Sequence, residues 1–299
     1  MLAKLKAAGA LALAAIARPG MALYALRERG LAHVWRRFVS SDAGSIGAMA
    51  RDLRFRSMPP TQENLQSYYR DVVFEPCALA GRYLVRLPGG ERFYIRTARG
   101  WSDLGTLYDT FVVQIYRYHP DVDGKTVIDV GANIGDTAVY FAQQGARVIA
   151  YEPDPQMCAL GRDNAELNGL QVEFHDAGVG GATQQLRLSA TPEGADSMSV
   201  TLFPGESPLN RMHTATVPVR IVALQDVLAP LDSVALLKMD CEGCEYSALR
   251  STAPAALRKI GHIIMEYHAR GDELIELLRA AGFVVHVEGS MYLYADRGP

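Results

Sequence analysis

At 299 residues, with 49% hydrophobic and 21% charged side chains, the chain has ordinary globular composition and room for one large domain or a core with an appended segment. Its formal charge of −3 excludes the overall basic surplus of a nucleic-acid binder. A core of this size needs no disulfides, and Cys77, Cys158, Cys241 and Cys244 are too scattered to form a disulfide framework.

The first forty residues differ from the rest. Lys4 and Lys6 precede an apolar run, 7–17, which Arg18-Pro19-Gly20 breaks. Leu31, Val34, Trp35 and Phe38 then recur at helical spacing among Arg27, Arg29, Arg36 and Arg37. Three readings stay open: a secretory signal, an interfacial amphipathic helix that contacts a membrane through residues 1–38, and a helical arm packed on the main domain. The run is shorter than the ~20 residues of a membrane-spanning helix. Ser40 to Pro60, polar and rich in Gly, Ser and Pro, reads as a linker or a loose helix. YLVRL and RFYIR flank Pro88-Gly89-Gly90-Glu91 as a hairpin, Tyr83 to Ile95, and a helix is expected from Asp103 to Tyr118. Residues 1–100 thus form a helical N-terminal extension with a hairpin, and 101–299 the main domain.

From Lys125 strand and helix alternate. TVIDV is a β-branched strand, followed by a helix over 133–144, the strand RVIAYE, a helix from about Pro155 to Asn168, and the strand QVEFHDA. In the polar stretch 178–211, LRLSA suits an edge strand. VALLKMD is an apolar strand, Glu245 to Leu257 a helix, HIIMEYH a strand and Asp272 to Ala281 a helix closed by Gly282. FVVHVEG and MYLYADR make a last hairpin. Repeated β-α-β units with apolar strands predict an α/β fold, a parallel sheet covered by helices on both faces.

Asp129-Val-Gly131-Ala-Asn133-Ile-Gly135 ends a strand and opens a helix, the context of a nucleotide-binding glycine loop. Gly131 permits a tight turn and Gly135 close approach of a ligand. Glu152, followed by Pro153, ends the next strand, where a carboxylate accepts both ribose hydroxyls of an adenosine group. Asp176, with Ala177, falls at the third strand end and meets the adenine. Asn164 reads as a surface polar residue. A carboxylate at Asp129 repels the pyrophosphate of NAD but suits the cationic end of S-adenosylmethionine, so NAD(P)-dependent oxidoreduction is the weaker reading. Asp240 ends the VALLKMD strand in the same crevice; Glu242 and Glu245 follow, the last equally suited to the site or to the first turn of a helix. Cys241 and Cys244 lack the partners of a zinc or thioredoxin-like site and read as small apolar side chains near a buried strand end.

VIDVGANIGDTA, YEPDP and LLKMDCEGCEYSAL together resemble the FkbM-type methyltransferases, and IIMEYH, with Glu266 and His268, is similar to that family's next strand. The resemblance runs from about Asp103 onward. It implies a class I methyltransferase Rossmann-like fold, mostly parallel, seven-stranded with one antiparallel strand. It also implies S-adenosylmethionine-dependent O-methylation, often of hydroxyls on sugars, polyketides or other secondary metabolites. DCEGCE stands where amine methyltransferases often carry an N/D-P-P-Y/F-type block.

On this reading Asp129, Gly131, Asn133, Gly135, Glu152, Pro153, Asp176, Ala177 and Asp240 hold the donor. Asp240 or His268 takes the hydroxyl proton and Glu242 shapes the acceptor pocket. A divalent ion stays open, because Asp240, Glu242 and Glu266 are hard oxygen ligands. The acceptor is a small molecule, glycan or lipid, with no nucleic acid partner. The donor is made inside cells, so a cytoplasmic enzyme is expected, at the inner membrane surface if the basic N-terminus meets anionic headgroups. The rival outside enzymology is a non-catalytic binding module, against which the intact acids Asp129, Glu152 and Asp240 count.

Overall fold

The computed structural model describes residues 58–190, 215–267, 270–288 and 292–297. The chain divides into two compact units, Met1–Val72 and Val73–Pro299. In the first, α1 (Gln62–Tyr68) begins at Thr61, whose hydroxyl accepts the Asn64 N–H at 3.3 Å. The proposed arm at residues 1–38 lies outside the described residues. Among the described residues no helix is long and apolar enough to cross a membrane.

The second unit opens with β1 (Val73–Glu75), β2 (Arg82–Arg86) and β3 (Arg92–Arg96), an antiparallel sheet in that order. α2 (Gly100–Tyr108) runs into a π-helical turn, Asp109–Val113, and stops at Gln114, whose left-handed φ of 58° ends the helix short of the expected Tyr118. β4 (Thr126–Val130), α3 (Asp136–Ala142), β5 (Arg147–Glu152), α4 (Pro155–Leu167) and β6 (Glu173–Asp176) follow. Pro155 at the first turn and Asp154, whose carboxylate accepts the Gln156 N–H at 2.8 Å, set the start of α4.

β7 (Gly178–Gly180), β8 (Gln184–Ala190) and β9 (Ala215–Ala223) form their own sheet, order β7-β9-β8. LRLSA therefore forms an edge strand, as expected, of this smaller sheet, paired with β9. α5 (Leu224–Leu228) and β10 (Val234–Met239) come next. The helix expected over 245–257 is two, α6 (Glu245–Arg250) and α7 (Pro254–Leu257), because Pro254 holds Ala253 extended at ψ 142°. β11 (Ile260–Glu266), α8 (Gly271–Ala280), β12 (Phe283–Glu288) and β13 (Tyr292–Arg297) complete the unit.

The main sheet has seven strands in the order β12-β13-β11-β10-β4-β5-β6. β6, β5, β4, β10 and β11 are mutually parallel; β13 runs antiparallel to both β11 and β12 and lies between them. Side chains alternate between two cores. Ile128, Val130, Leu237, Met239, Ile263 and Met265 pack against Leu228, Leu249 and Leu274 on one face. Val127, Val148, Leu236 and Ile264 pack with Ala138, Phe141 and Tyr116 on the other. The chain leaves β4 toward β5 and later returns beside it as β10, so the strand order switches between these two, where such sheets open a crevice at their carboxyl ends.

The small N-terminal sheet belongs to the second unit, Val73–Pro299. Two asparagines tie it to α4. Asn164 accepts the Tyr94 N–H at 2.7 Å and donates to the Tyr94 and Ile134 carbonyls at 3.2 and 2.8 Å. One turn later, Asn168 accepts the Arg92 N–H at 3.0 Å and donates to the Arg92 carbonyl at 2.7 Å. Two amides four apart on α4 thus pair with two residues two apart on β3, as a further strand would. Asn164 is fully buried, which corrects its reading as a surface residue. Truncating it strands two backbone carbonyls and an N–H. Asn164→Ala is expected to cost about 2–3 kcal/mol, and Asn168→Ala less, in urea denaturation followed by circular dichroism.

Candidate active site

The center of the crevice is a buried charge pair. Asp129 and Lys238 are register partners on β4 and β10, so their side chains leave the sheet on the same face. Asp129 is fully buried and Lys238 nearly so. The ammonium lies 3.1 Å from Asp129 Oδ1, and Thr137 of α3 donates to Oδ2 at 2.6 Å. Lys238 also donates to the Gly131 carbonyl at 2.9 Å and stands over the Tyr116 ring at 5.8 Å. Burial works to lower the Lys238 pKa, but the carboxylates of Asp129, Asp240 and Asp136 outweigh it and hold the ammonium above its ordinary value.

Asp129 turns one oxygen to Thr137 and the other, Oδ1, to the Lys238 ammonium; Oδ1 is buried and accepts no hydrogen bond of good geometry among the described residues. Gly135 is glycine for packing: at φ 84° a Cβ would lie 2.9 Å from the Gly161 Cα of α4. Gly131, at φ 79°, is glycine because a Cβ would run into the Asp240 carbonyl. The loop after β4 therefore leans on the loop after β10, an approach extended by the Asp240 N–H, which donates to the Val130 carbonyl at 3.0 Å.

Glu152 stands at the end of β5. One carboxylate oxygen accepts the Asn133 N–H and the other the Asp154 N–H, each at 2.9 Å. Burial pushes its carboxyl from 4.5 up to about 7, against the pull of those two N–H groups. Asn133 sits beside it in left-handed conformation, φ 50°, and its side-chain oxygen is buried with no hydrogen-bond partner among the described residues. Pro153 follows Glu152 and leads into the Asp154 cap. Asp176 lies at the end of β6, half exposed, with Arg162 at 2.7 Å. The Cys158 thiol and then Arg162 hold its carboxyl below the ordinary range, with slight burial opposing them. Ala177, next in the chain, is buried.

Beyond the charge pair the same face turns acidic and phenolic. Asp240 continues the alternation past Lys238, and Glu266 ends β11 opposite its register partner Tyr292. Burial first, then the charges of Glu266 and Asp240, raise the Tyr292 phenol far above its usual value, and it donates to Glu266. Tyr116 is raised likewise, by burial and then by Asp240 and Asp136. Asp136, buried in the first turn of α3, accepts from Thr110 at 2.7 Å; burial lifts it to about 6. The motifs that the sequence displays assign no role to Lys238, Tyr116 or Tyr292. A single Lys inside an otherwise apolar strand was a readable signal for the first, since such a group is buried only with a partner.

The loop 240–245 holds a further correction. Cys241 and Cys244 are joined by a disulfide, Cα atoms 5.5 Å apart, and are not two separate apolar side chains. Glu245 is structural: one oxygen accepts the N–H groups of Cys241 and Gly243 at 3.3 and 3.4 Å. Glu242 lies between the cysteines at φ 55°. His268 falls outside the described residues. Among the described residues no three His, Cys, Asp or Glu side chains are grouped to hold a metal ion.

A glycine loop after the central strand, an acid at the next strand end, and a seven-stranded sheet with one inserted antiparallel strand define the class I S-adenosylmethionine-dependent methyltransferases. The FkbM methyltransferase domain model matches residues 129–285, more than half of the chain, and the chain belongs to that family. It is 28% identical over 203 residues to "Methyltransferase 1" of Beauveria bassiana, covering 60% of this chain and 80% of the relative. It is also 26% identical to the AMB antimetabolite synthetase AmbE of Pseudomonas aeruginosa, covering 60% of this chain but only 10% of that much longer protein. Among solved structures, magnesium protoporphyrin IX methyltransferase (ChlM) from Synechocystis PCC 6803 with bound SAM is similar at 14% identity and a TM-score of 0.39, over 66% of this chain and 80% of that one.

Lys238→Met leaves Asp129 buried without its counter-charge and is expected to cost about 3–5 kcal/mol in chemical denaturation, part of which the double variant Asp129→Asn, Lys238→Met regains. The raised Glu152 carboxyl favors the fold when protonated. That contribution is complete below pH 4.5 and lost as pH rises through about 7. Without ligand, Glu152→Gln should therefore gain on the wild type between pH 5 and 8 in urea midpoint, by at most about 3 kcal/mol.

Proposed function

We propose that this methyltransferase acts on a hydroxyl oxygen of a sugar, glycolipid, lipid or secondary-metabolite acceptor. The observation that carries this reading is the group of Asp240, Glu266, Tyr116 and Tyr292 on one face of the strand ends, carboxylates and protonated phenols next to the glycine loop. A hydroxyl must lose a proton as it is methylated, whereas a neutral amine attacks before losing one, so a carboxylate beside the acceptor suits oxygen.

The residues present fit the donor. Asn133 offers a buried side-chain oxygen with no partner among the described residues, and Glu152 keeps a lone pair on each oxygen beyond its backbone bonds. Glu152 and Asn133 hold the ribose end, Pro153 shapes that wall, and Asp176 with Ala177 marks the adenine end. When bound, S-adenosylmethionine supplies an electrophilic methyl group on a sulfonium. Gly131 gives its backbone to the donor, while Asp129 acts at one remove, fixing Lys238, which fixes the Gly131 carbonyl.

Asp240 accepts the hydroxyl proton in this reading. Its charge already acts on the phenols of Tyr116 and Tyr292, and both are held protonated: Tyr292 donates to Glu266, and Tyr116 is left as a donor that can orient the acceptor oxygen. Glu242 forms the acceptor-side wall and His268 the alternative base.

Calorimetry with S-adenosylmethionine, followed by turnover on hydroxyl acceptors, tests the assignment. Asp240→Asn should bind the donor within about twofold of wild type and lose about 100-fold or more in kcat, the span of general-base catalysis. Full turnover in that variant moves the base to His268, and methyl transfer to amines alone discards the hydroxyl reading.

A further inference from the structure

We propose that Cys241 and Cys244 form a reversible thiol–disulfide site whose redox state sets the affinity for S-adenosylmethionine. The pair lies in the segment against which the donor loop is built. Asp240, directly before Cys241, places its carbonyl where a Gly131 Cβ would be, and its N–H donates to Val130. Any movement of 240–245 therefore reaches Gly131 through backbone contact.

The segment depends on closure at both ends. Between the cysteines, Glu242 and Gly243 both hold positive φ, 55° and 115°, and the first of these is costly for a residue with a Cβ. Two restraints keep the loop there: the disulfide, and a single oxygen of Glu245 that accepts the N–H groups of Cys241 and Gly243. The Cys241 sulfur lies 3.4 Å from that same oxygen. As a disulfide sulfur it carries no proton and makes no demand on it. Once reduced it becomes a thiol donor and competes with the two N–H groups. Reduction thus removes one restraint and weakens the other.

The chemistry balances with a dithiol as reductant. Cys244 is fully buried and Cys241 only partly, so an incoming thiolate attacks the Cys241 sulfur and the Cys244 sulfur leaves as thiolate. The second thiol of the reductant then displaces Cys241. The S–S bond takes up two electrons and two protons to give two cysteine thiols, and the reductant ends as its own disulfide. Glu245, nearly buried beside Cys241, disfavors a lasting thiolate there. The donor is made inside cells, where protein disulfides are usually transient and sensing.

Two readouts separate this site from the reading of the crevice on which its affinity effect rests. The first is alkylation. The full chain, oxidized in air, denatured and treated with iodoacetamide, should take up two labels of a total of four cysteines, at Cys77 and Cys158, and four after dithiothreitol. Four labels without reductant would overturn the site. The second is calorimetric titration of the folded wild type with S-adenosylmethionine, with and without dithiothreitol. Reduction should weaken binding roughly fivefold or more, within the usual range of coupling between sites. The Cys241→Ser, Cys244→Ser variant should match the reduced wild type and ignore reductant; the wild-type comparison stands without it should it fail to fold. Affinities within twofold in both states would overturn the coupling while leaving the disulfide. No binding in either state would overturn both the coupling and the reading of the crevice, with the alkylation pattern still identifying the redox site.

Discussion

Asp129 and Lys238 stand side by side in the middle of the main sheet, and burying two ions there costs several kcal/mol each unless geometry and further hydrogen bonds compensate. The compensation determines much else. A slip of one residue between β4 and β10 would turn the two charges to opposite faces, so the pair fixes the register of the two strands that flank the crevice. Thr137 ties the first turn of α3 to the same carboxylate, and Lys238 reaches past it to the Gly131 carbonyl. Sheet register, helix start and glycine-loop shape are one constraint.

The surrounding charges obey the same pair. Asp136 and Asp240 both act on Lys238, and together with Asp129 they outnumber it three to one. Burial first, with these charges adding to it, holds the Tyr116 and Tyr292 phenols far above their usual range, and burial lifts Asp136 to about 6. A crevice arranged in this way holds carboxylates and protonated phenols on one face.

Much of the fold was legible because strands such as TVIDV and VALLKMD carry apolar residues on both faces, which only a sheet covered on both sides explains. Glu152 was legible by its place at the next strand end. What escaped was direction and pairing over distance. The sequence marks an acid ahead of Gly131 but not the charge it meets, because Lys238 lies more than a hundred residues on and is brought opposite only by the parallel register. Asn164 and Asn168 are spaced like surface residues of α4, and nothing local reveals that β3 docks its backbone on them. Gly135 answers to Gly161, and Glu245 answers to the N–H groups of its own preceding turn. In each case the partner comes from another element or from a turn whose shape the residue types do not dictate.

The position of β13 between β11 and β12 has a consequence for how the sheet comes into being. Each of its neighbors precedes it in the chain, so β12 has no partner in the main sheet until β13 is present, which pairs with five residues of β11 and six of β12. The sheet cannot be laid down strand by strand in the order of synthesis. Its rim is closed by a strand inserted between two earlier ones, and Glu266 meets the phenol of Tyr292 only through that insertion. The acceptor side of the crevice therefore depends on a strand that lies after both of its neighbors in the chain, whereas the donor loop and Lys238 belong to strands that come earlier.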